Sequence, residues 1–320
     1  MKMTAYFRRL LLRAFLLVLA CAGLHAAAQE KFPSNPVEFI VPWGPGGGSD
    51  QTARVLAELL ASELKVPVPV LNVPGATGAI GIQKMIAAPA DGYKIGLLAW
   101  DSLATLASQS PGWKAEDLAP LGIVIQLPSA LYVSGDKFPN WKAVEDAARK
   151  QPLTVGISGA GSPDEITINY FATKGIKFTQ VPYPRPGERY AALIGGHIDL
   201  LYSPTGNVAG FVESKKMRPV LMLTAERAPD FPDTPTSKEL GYDITLPQRR
   251  AVVVKAGTDP QRIQLLSDAI ARAVASDKYK KFLKDSFASP ASYVSQADSV
   301  TLMRSDLADM RKIIQSTKAQ

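Results

Sequence analysis

Histidine and cysteine are almost missing from this 320-residue chain, which has two of the first, His25 and His197, and one of the second, Cys21. Transition-metal centres are built from clusters of His, Cys and carboxylates, so no metal site is expected. A lone cysteine excludes an intrachain disulfide framework. Long apolar runs are also lacking. The one that stands out, Ala14 to Leu24, is too short to span a bilayer as a helix. No Pro/Ser-rich linker and no low-complexity tract interrupts the chain. What remains is ordinary for a globular protein, at 46% hydrophobic and 20% charged, so a sizeable core is available.

The apolar run has a specific setting. Lys2, Arg8, Arg9 and Arg13 precede it and Ala26-Ala27-Ala28 follows, the pattern of a secretory signal peptide over residues 1–28. Its removal takes four positive charges and no acid, so the formal charge falls from +7 to +3. The basic balance is therefore a targeting signal and not a nucleic-acid footprint. Cys21 and His25 leave with the peptide, and the expected location is the periplasm. "VLAC", ending at Cys21, also reads as a lipoprotein box, which is the alternative to simple cleavage.

The rest alternates apolar β-branched runs with helical patterns. Val37–Val41 reads as a strand, and Ser49–Leu64 as a helix with Ala53, Leu56, Ala57, Leu60 and Leu64 on one face. Ser49 is a candidate cap with Asp50 favourable beside it. Val68–Leu71, Tyr93–Ala99, Leu153–Ile157 and Arg218–Ala225 are further strands, and Leu121–Ser134 is one long extended run. The β-α-β-α-β order implies a mainly parallel sheet with right-handed crossovers. Strand-turn-helix units with Gly/Ser-rich turns recur at Gly44–Ser49, Gly75–Gly78 and Gly159–Ser162. Ligands in open α/β sheets sit beyond the carboxyl ends of strands, so these turns are expected to line a cleft.

Three familiar chemistries fail on residue type. A P-loop needs Lys-Ser/Thr after its last glycine, but Gly48 is followed by Ser49-Asp50 and no lysine comes before Lys65. The dinucleotide fingerprint fails because the sixth position from Gly44 is Ser49. No G-x-S-x-G elbow exists, and a catalytic triad would need His197, in the tight turn "IGGHIDLL". A backbone anion site fits better. Exposed N–H groups in a Gly-rich turn at a helix N-terminus hold a carboxylate without a countercharge, and glycine admits close approach. The competing reading is that each glycine only makes a tight turn, which is weaker for three turns in equivalent positions.

The motifs "IVPWGPGGGSDQTARVLA", "VLNVPGATGAIG", "ADGYKI", "GAGS", "VPYPRPGERYAALIGGHIDL", "RPVLMLTAERAPDFPDTPTSKELGYDI" and "VKAGTDP", in that order, resemble the receptors of tripartite tricarboxylate transporters, the Bug-type periplasmic solute-binding proteins. The resemblance runs from about Pro36 to the C-terminus. It implies an α/β, two-lobed Venus-flytrap fold of mainly parallel sheets, with helices on both faces and two crossovers. Residues 29–125 and 250–320 would form the first lobe and 126–249 the second. It implies no enzyme and no cofactor. A monomer would capture a di- or tricarboxylate or an aromatic acid and deliver it to membrane permease subunits.

Carried over by motif, the ligand-binding residues would be Trp43, Gly46, Gly47, Gly48, Ser49 and Asp50, then Ala76, Thr77 and Gly78, then Ala160, Gly161 and Ser162, with Tyr183 and Asp199. Asp101 and Ser102 join them by their position after the third strand. Asp50 is expected to orient its loop or cap the helix. A side chain at Gly47 is expected to occupy the anion's place. The chain departs from the family's pattern at Val73, Glu165, Pro184-Arg185 and Gln248-Arg249-Arg250. Arg185 or Arg249 is a candidate bidentate carboxylate partner, with surface solvation as the alternative. Two other functions share these features: a ligand-sensing partner of a signalling receptor, and a secreted hydrolase acting through His197.

Overall fold

The computed structural model describes residues 31–135 and 137–318. The signal-peptide reading, with Cys21 and His25, lies outside them. Among the described residues, those from Pro36 onward form one compact unit.

The first βα unit shows how sequence becomes site. Strand β1 (Glu38–Val41) is buried along three of its four residues and ends at Pro42. Helix α1 (Gly48–Leu64) buries Ala53, Leu56, Ala57, Leu60 and Leu64, the stripe read from the sequence. Each fully buried leucine contributes about 1.5–3 kcal/mol. The helix starts one residue earlier than the pattern suggested. Gly47 is its N-cap without a side-chain bond, and Ser49 lies buried in the first turn. Lys65 in the left-handed region ends it, donating its N–H to Ala61 O at 3.1 Å.

Among the described residues ten strands form two five-stranded sheets. The first has the order β2 (Val70–Asn72), β1, β3 (Lys94–Ala99), β10 (Gln248–Lys255), β4 (Leu118–Leu127). The second runs β7 (Phe178–Pro182), β6 (Leu153–Ile157), β8 (Leu200–Pro204), β5 (Ser129–Ser134), β9 (Met217–Met222). Helices pack on both as a two-lobed periplasmic-binding fold. The sheets are mixed, and four of the five strands in each run the same way. β1 pairs β2 and β3 in parallel, and β6 does so with β7 and β8. β5 and β10 are antiparallel to both of their neighbours. These are the strands by which the chain enters one sheet from the other, so they run against the βα units. The extended run Leu121–Ser134 is accordingly two strands, broken at Pro128 and divided between the sheets.

Helix α2 (Ala79–Ile86) and helix α3 (Trp100–Ser108) complete the first set of βα units, and α4 (Trp141–Lys150), α5 (Pro163–Thr173), α6 (Pro186–Ile194) and α7 (Ala209–Glu213) the second. Helices α8 (Pro260–Ala275), α9 (Asp277–Asp285) and α10 (Gln296–Lys318) close the chain, with α10 packed on β4, α3 and α5. No helix among the described residues is long and apolar enough to cross a membrane.

Candidate functional site

The carboxyl ends of the parallel strands converge on a small cavity of about 40 Å³. Trp43, Gly44, Gly47, Gly48 and Ser49 reach it from the turn after β1, and Asp101 from the start of α3. The second sheet contributes Ser158 after β6, Pro184, Pro186, Arg189 and Tyr190 around α6, and Asn207 after β8. Arg250 of β10 completes the wall. A wider cavity of about 720 Å³ opens beside it, sharing Gly47, Pro186, Tyr190 and Asn207 and bordered by Phe211 and Phe282.

The two loops are closed by the same device. Asp50 Oδ2 accepts the Gly46 N–H at 2.9 Å, while Arg54 and Asn72 donate to the same carboxylate. Burial pushes the Asp50 carboxyl up, but the bonds from Arg54, Gly46 and Asn72 outweigh it and hold the group below the usual carboxylate range. In the second loop Glu165 Oε2 accepts the Gly161 N–H at 2.6 Å, and Ser162 N–H bonds Gly159 O at 3.3 Å. Each loop thus ties one of its own N–H groups to a carboxylate four residues downstream. At the first loop, the initial N–H groups of α1 have no intrahelical acceptor and face the cavity. At the second, Gly161 and Ser162 are already engaged, so this turn is not the free backbone anion site expected from its sequence.

Arg250 is the dominant charge. It is 6% exposed, and Nη2 donates to Asn207 Oδ1 at 2.7 Å while Nη1 reaches Thr52 Oγ1 at 3.3 Å. Among the described residues no carboxylate lies within ion-pair distance of it. Burial pulls its pKa down, opposed by the field of Asp101. Arg189 is equally buried but paired, with Nη1 3.0 Å from Asp164 Oδ2 and bonded to Ser158 Oγ. Asp101 is half-buried and, among the described residues, its carboxylate has no ion pair and no hydrogen bond from another side chain. Desolvation, with repulsion from Asp164, pushes its carboxyl up to about 6 against the pull of Arg250 and Arg189. Trp43 Nε1 and Arg189 Nε are buried donors without an acceptor, and Asp164 Oδ1 is a buried acceptor without a donor.

Of the residues expected from sequence, Trp43, Gly47, Gly48, Ser49 and Asp101 line the inner cavity, and Gly46 lines the wider one. Asp50 acts through its loop. Ala76, Thr77 and Gly78 form a short 3-10 turn beside Trp43 and Ser102. A Cβ on Gly78 would lie 2.6 Å from Ser102 Oγ and 3.5 Å from Trp43 Cζ2. Thr77 faces the other loop, its Oγ1 3.5 Å from where a Gly159 Cβ would stand. Ala160, Gly161 and Ser162 sit against the end of α3, where Ser108 Oγ donates to Gly161 O at 3.4 Å. Tyr183 is half-buried on the apolar cluster around Tyr190, outside the inner cavity.

Asp199 belongs elsewhere. It accepts from Thr154 N at 2.7 Å, from Thr154 Oγ1 at 2.8 Å and from Lys137 Nζ at 2.6 Å. Thr154 lies at the start of β6 and Ser158 just past its end, so Asp199 braces the far end of the sheet. The two named arginines also point away. Arg185 is exposed and pairs with Glu188 at 2.6 Å, and Arg249 bonds Gln126 and Asp306. Successive side chains on a strand face opposite sides, so Arg249 turned outward puts Arg250 inward. Steric closeness falls on Gly48, where a Cβ would meet Asn207 Oδ1 at 1.9 Å. At Gly47 the nearest atom would be 3.7 Å away. Ser158, Arg189, Tyr190, Asn207 and Arg250 had no sequence signal of their own beyond the adjacent arginines of β10. His197 is exposed in its turn, and Asp199 beside it is committed to Thr154 and Lys137.

Comparison with known proteins agrees with this fold. The profile of the "Tripartite tricarboxylate transporter family receptor" family, TctC, matches residues 52–318. BugT of Bordetella pertussis is 32% identical over 270 residues, covering 81% of this chain and 82% of BugT. A TctC solute-binding protein structure from Polaromonas is 28% identical with a TM-score of 0.67, covering 89% of this chain and 99% of that one. An R. palustris protein solved with adipate superposes with a TM-score of 0.83 at 24% identity, covering 90% and 98%, and so shares the fold. The family is described as a receptor, and the Polaromonas structure is that of a solute-binding protein. The chain belongs to the tripartite tricarboxylate transporter receptor family of periplasmic solute-binding proteins.

Proposed function

We propose that this receptor captures a small organic carboxylate between its two lobes and presents it to the permease subunits of a tripartite tricarboxylate-type transporter. The observation that carries the reading is a surplus of donors at one cavity. Among the described residues, Arg250 is buried without a counter-ion, Trp43 Nε1 and Arg189 Nε are buried without acceptors, and the first turn of α1 offers open N–H groups. A buried unpaired guanidinium is costly, and an anion relieves it. The similar R. palustris protein was solved with a dicarboxylate, adipate. Residues 1–28 export the chain to the periplasm, with lipidation at Cys21 as the alternative form.

Transport requires that the ligand report its presence. Arg250 belongs to the first sheet and Asn207 follows a strand of the second, so their bond spans the lobes. An anion held on Arg250 and α1 that also touches Ser158, Tyr190 or Asn207 of the second lobe binds the closed arrangement better than the open one, and so shifts the population toward it.

Thermal-shift screening of mono-, di- and tricarboxylates and aromatic acids tests the reading. A binder at a hundred times its Kd stabilises the native state by about 2.7 kcal/mol. Stabilisation by neutral solutes alone, with none by any acid, overturns it.

A further inference from the structure

The charges of the inner cavity come in two sets. Arg189 and Asp164 satisfy each other, 3.0 Å apart and both buried. Arg250 and Asp101 do not: one cation and one anion line the same cavity, and neither has an ion pair among the described residues. They arise on different elements, Arg250 on β10 and Asp101 in the first turn of α3. A simple carboxylate answers Arg250 and adds its charge to that of Asp101. A dicarboxylate does so twice. A molecule with one charge of each sign answers both.

We propose that the ligand is zwitterionic, an amino acid or a close analogue, with its carboxylate on Arg250 and the first turn of α1 and its ammonium on Asp101. This rests on the carboxylate reading above and narrows it. The two ends have different hydrogen-bonding characters. Around the carboxylate stand the N–H groups of Gly48 and Ser49 and the Arg250 guanidinium, all donors, while the nearby acceptor Asn207 Oδ1 is already taken up by Arg250. Around the ammonium stands an ionised carboxylate, which only accepts. Burial, with the Asp164 charge nearby, already pushes the Asp101 carboxyl up to about 6. An ammonium beside it removes the desolvation cost and returns the group to its charged form. The wider cavity beside Tyr190, Phe211 and Phe282 leaves room for a side chain beyond this headgroup.

Isothermal titration of the mature protein tests this with matched series. These are the twenty L-amino acids and, for each binder, its hydroxy and deaminated analogues, alongside succinate, adipate, citrate and benzoate. The amino member is expected to bind roughly 10- to 100-fold tighter than its deaminated counterpart, the range of a hydrogen bond between charged groups. Asp101→Asn is expected to bring that ratio to within about threefold of one, since the amide keeps the shape and loses the charge. A deaminated acid or dicarboxylate binding as tightly as every amino acid overturns the inference and leaves the carboxylate reading standing. So does a preference that survives Asp101→Asn. If no acid in the panel binds, the carboxylate reading itself fails, and the inference with it.

Discussion

Replacing Gly48 with alanine should weaken ligand binding while leaving the protein folded. Gly48 is the first residue of α1, outside the left-handed region, so alanine fits its backbone. Gly→Ala at a compatible helical position stabilises by about 0.4–1 kcal/mol. The added methyl, however, falls 1.9 Å from Asn207 Oδ1 and 2.7 Å from Arg250 Nη2. Asn207 must withdraw, and the 2.7 Å bond from Arg250 that joins the two sheets' elements is lost. A hydrogen bond to a charged group is worth about 1.5–3 kcal/mol, so affinity should fall roughly 10- to 150-fold. Calorimetric titration with the tightest acid found by screening measures the affinity. Thermal denaturation without ligand measures the fold, and small-angle scattering the closed fraction. Removing the obstructing side chain as well, in Gly48→Ala/Asn207→Ala, should cost no more than Asn207→Ala alone, because the two changes act on one contact. Affinity within twofold of the parent, or a fully additive double variant, would refute the reasoning.

Four further outcomes follow from the same geometry. Asp50→Ala frees the Gly46 N–H and removes contacts to Arg54 and Asn72, and should lower stability by about 1–3 kcal/mol, measured by denaturant titration. For Asp101, which faces Asp164, Arg189, Arg250 and Tyr202, the folded-state pKa is raised to about 6 from 3.8. The folded state therefore holds the proton longer, and this group's contribution to stability falls as pH rises from about 4 to 6; the difference between parent and Asp101→Asn stability curves should show that slope and flatten above it. Trp43 is the tryptophan that lines the cavity, whereas Trp100, Trp113 and Trp141 are buried in the core, so Trp43→Phe should abolish any ligand-induced fluorescence change. His197→Ala, on an exposed turn, should bind acids as the parent does, and a loss of binding would count against the site as placed.

Local order fixed much of this protein before any coordinates. The apolar stripe of α1, the glycine turns after β1 and β6, and the absence of a P-loop lysine follow from spacing and residue type, which act within a few residues. The position of Asp50 four residues beyond Gly46 is of the same kind: it puts a carboxylate over its own turn. Tertiary structure decided what a one-dimensional pattern does not encode. Whether Arg249 or Arg250 meets the ligand depends on which side of β10 faces the cleft, and that is set by pairing with β3 and β4, more than a hundred residues earlier in the chain. Asp199 looked like a ligand residue by motif but lies at the opposite end of its sheet, where it closes on Thr154 and Lys137. Arg189, Asn207 and Asp101 meet because three separate strands end at one place. Charges that are far apart in sequence balance or fail to balance only once folding brings them into a common low-dielectric cavity. The sequence alone therefore determined that the chain makes two glycine-turned βα lobes. The unmatched pair Arg250 and Asp101, and with it the ligand's charge pattern, was decided only when β10 paired with β3, which sets Arg250 beside Ala99 and so near Asp101.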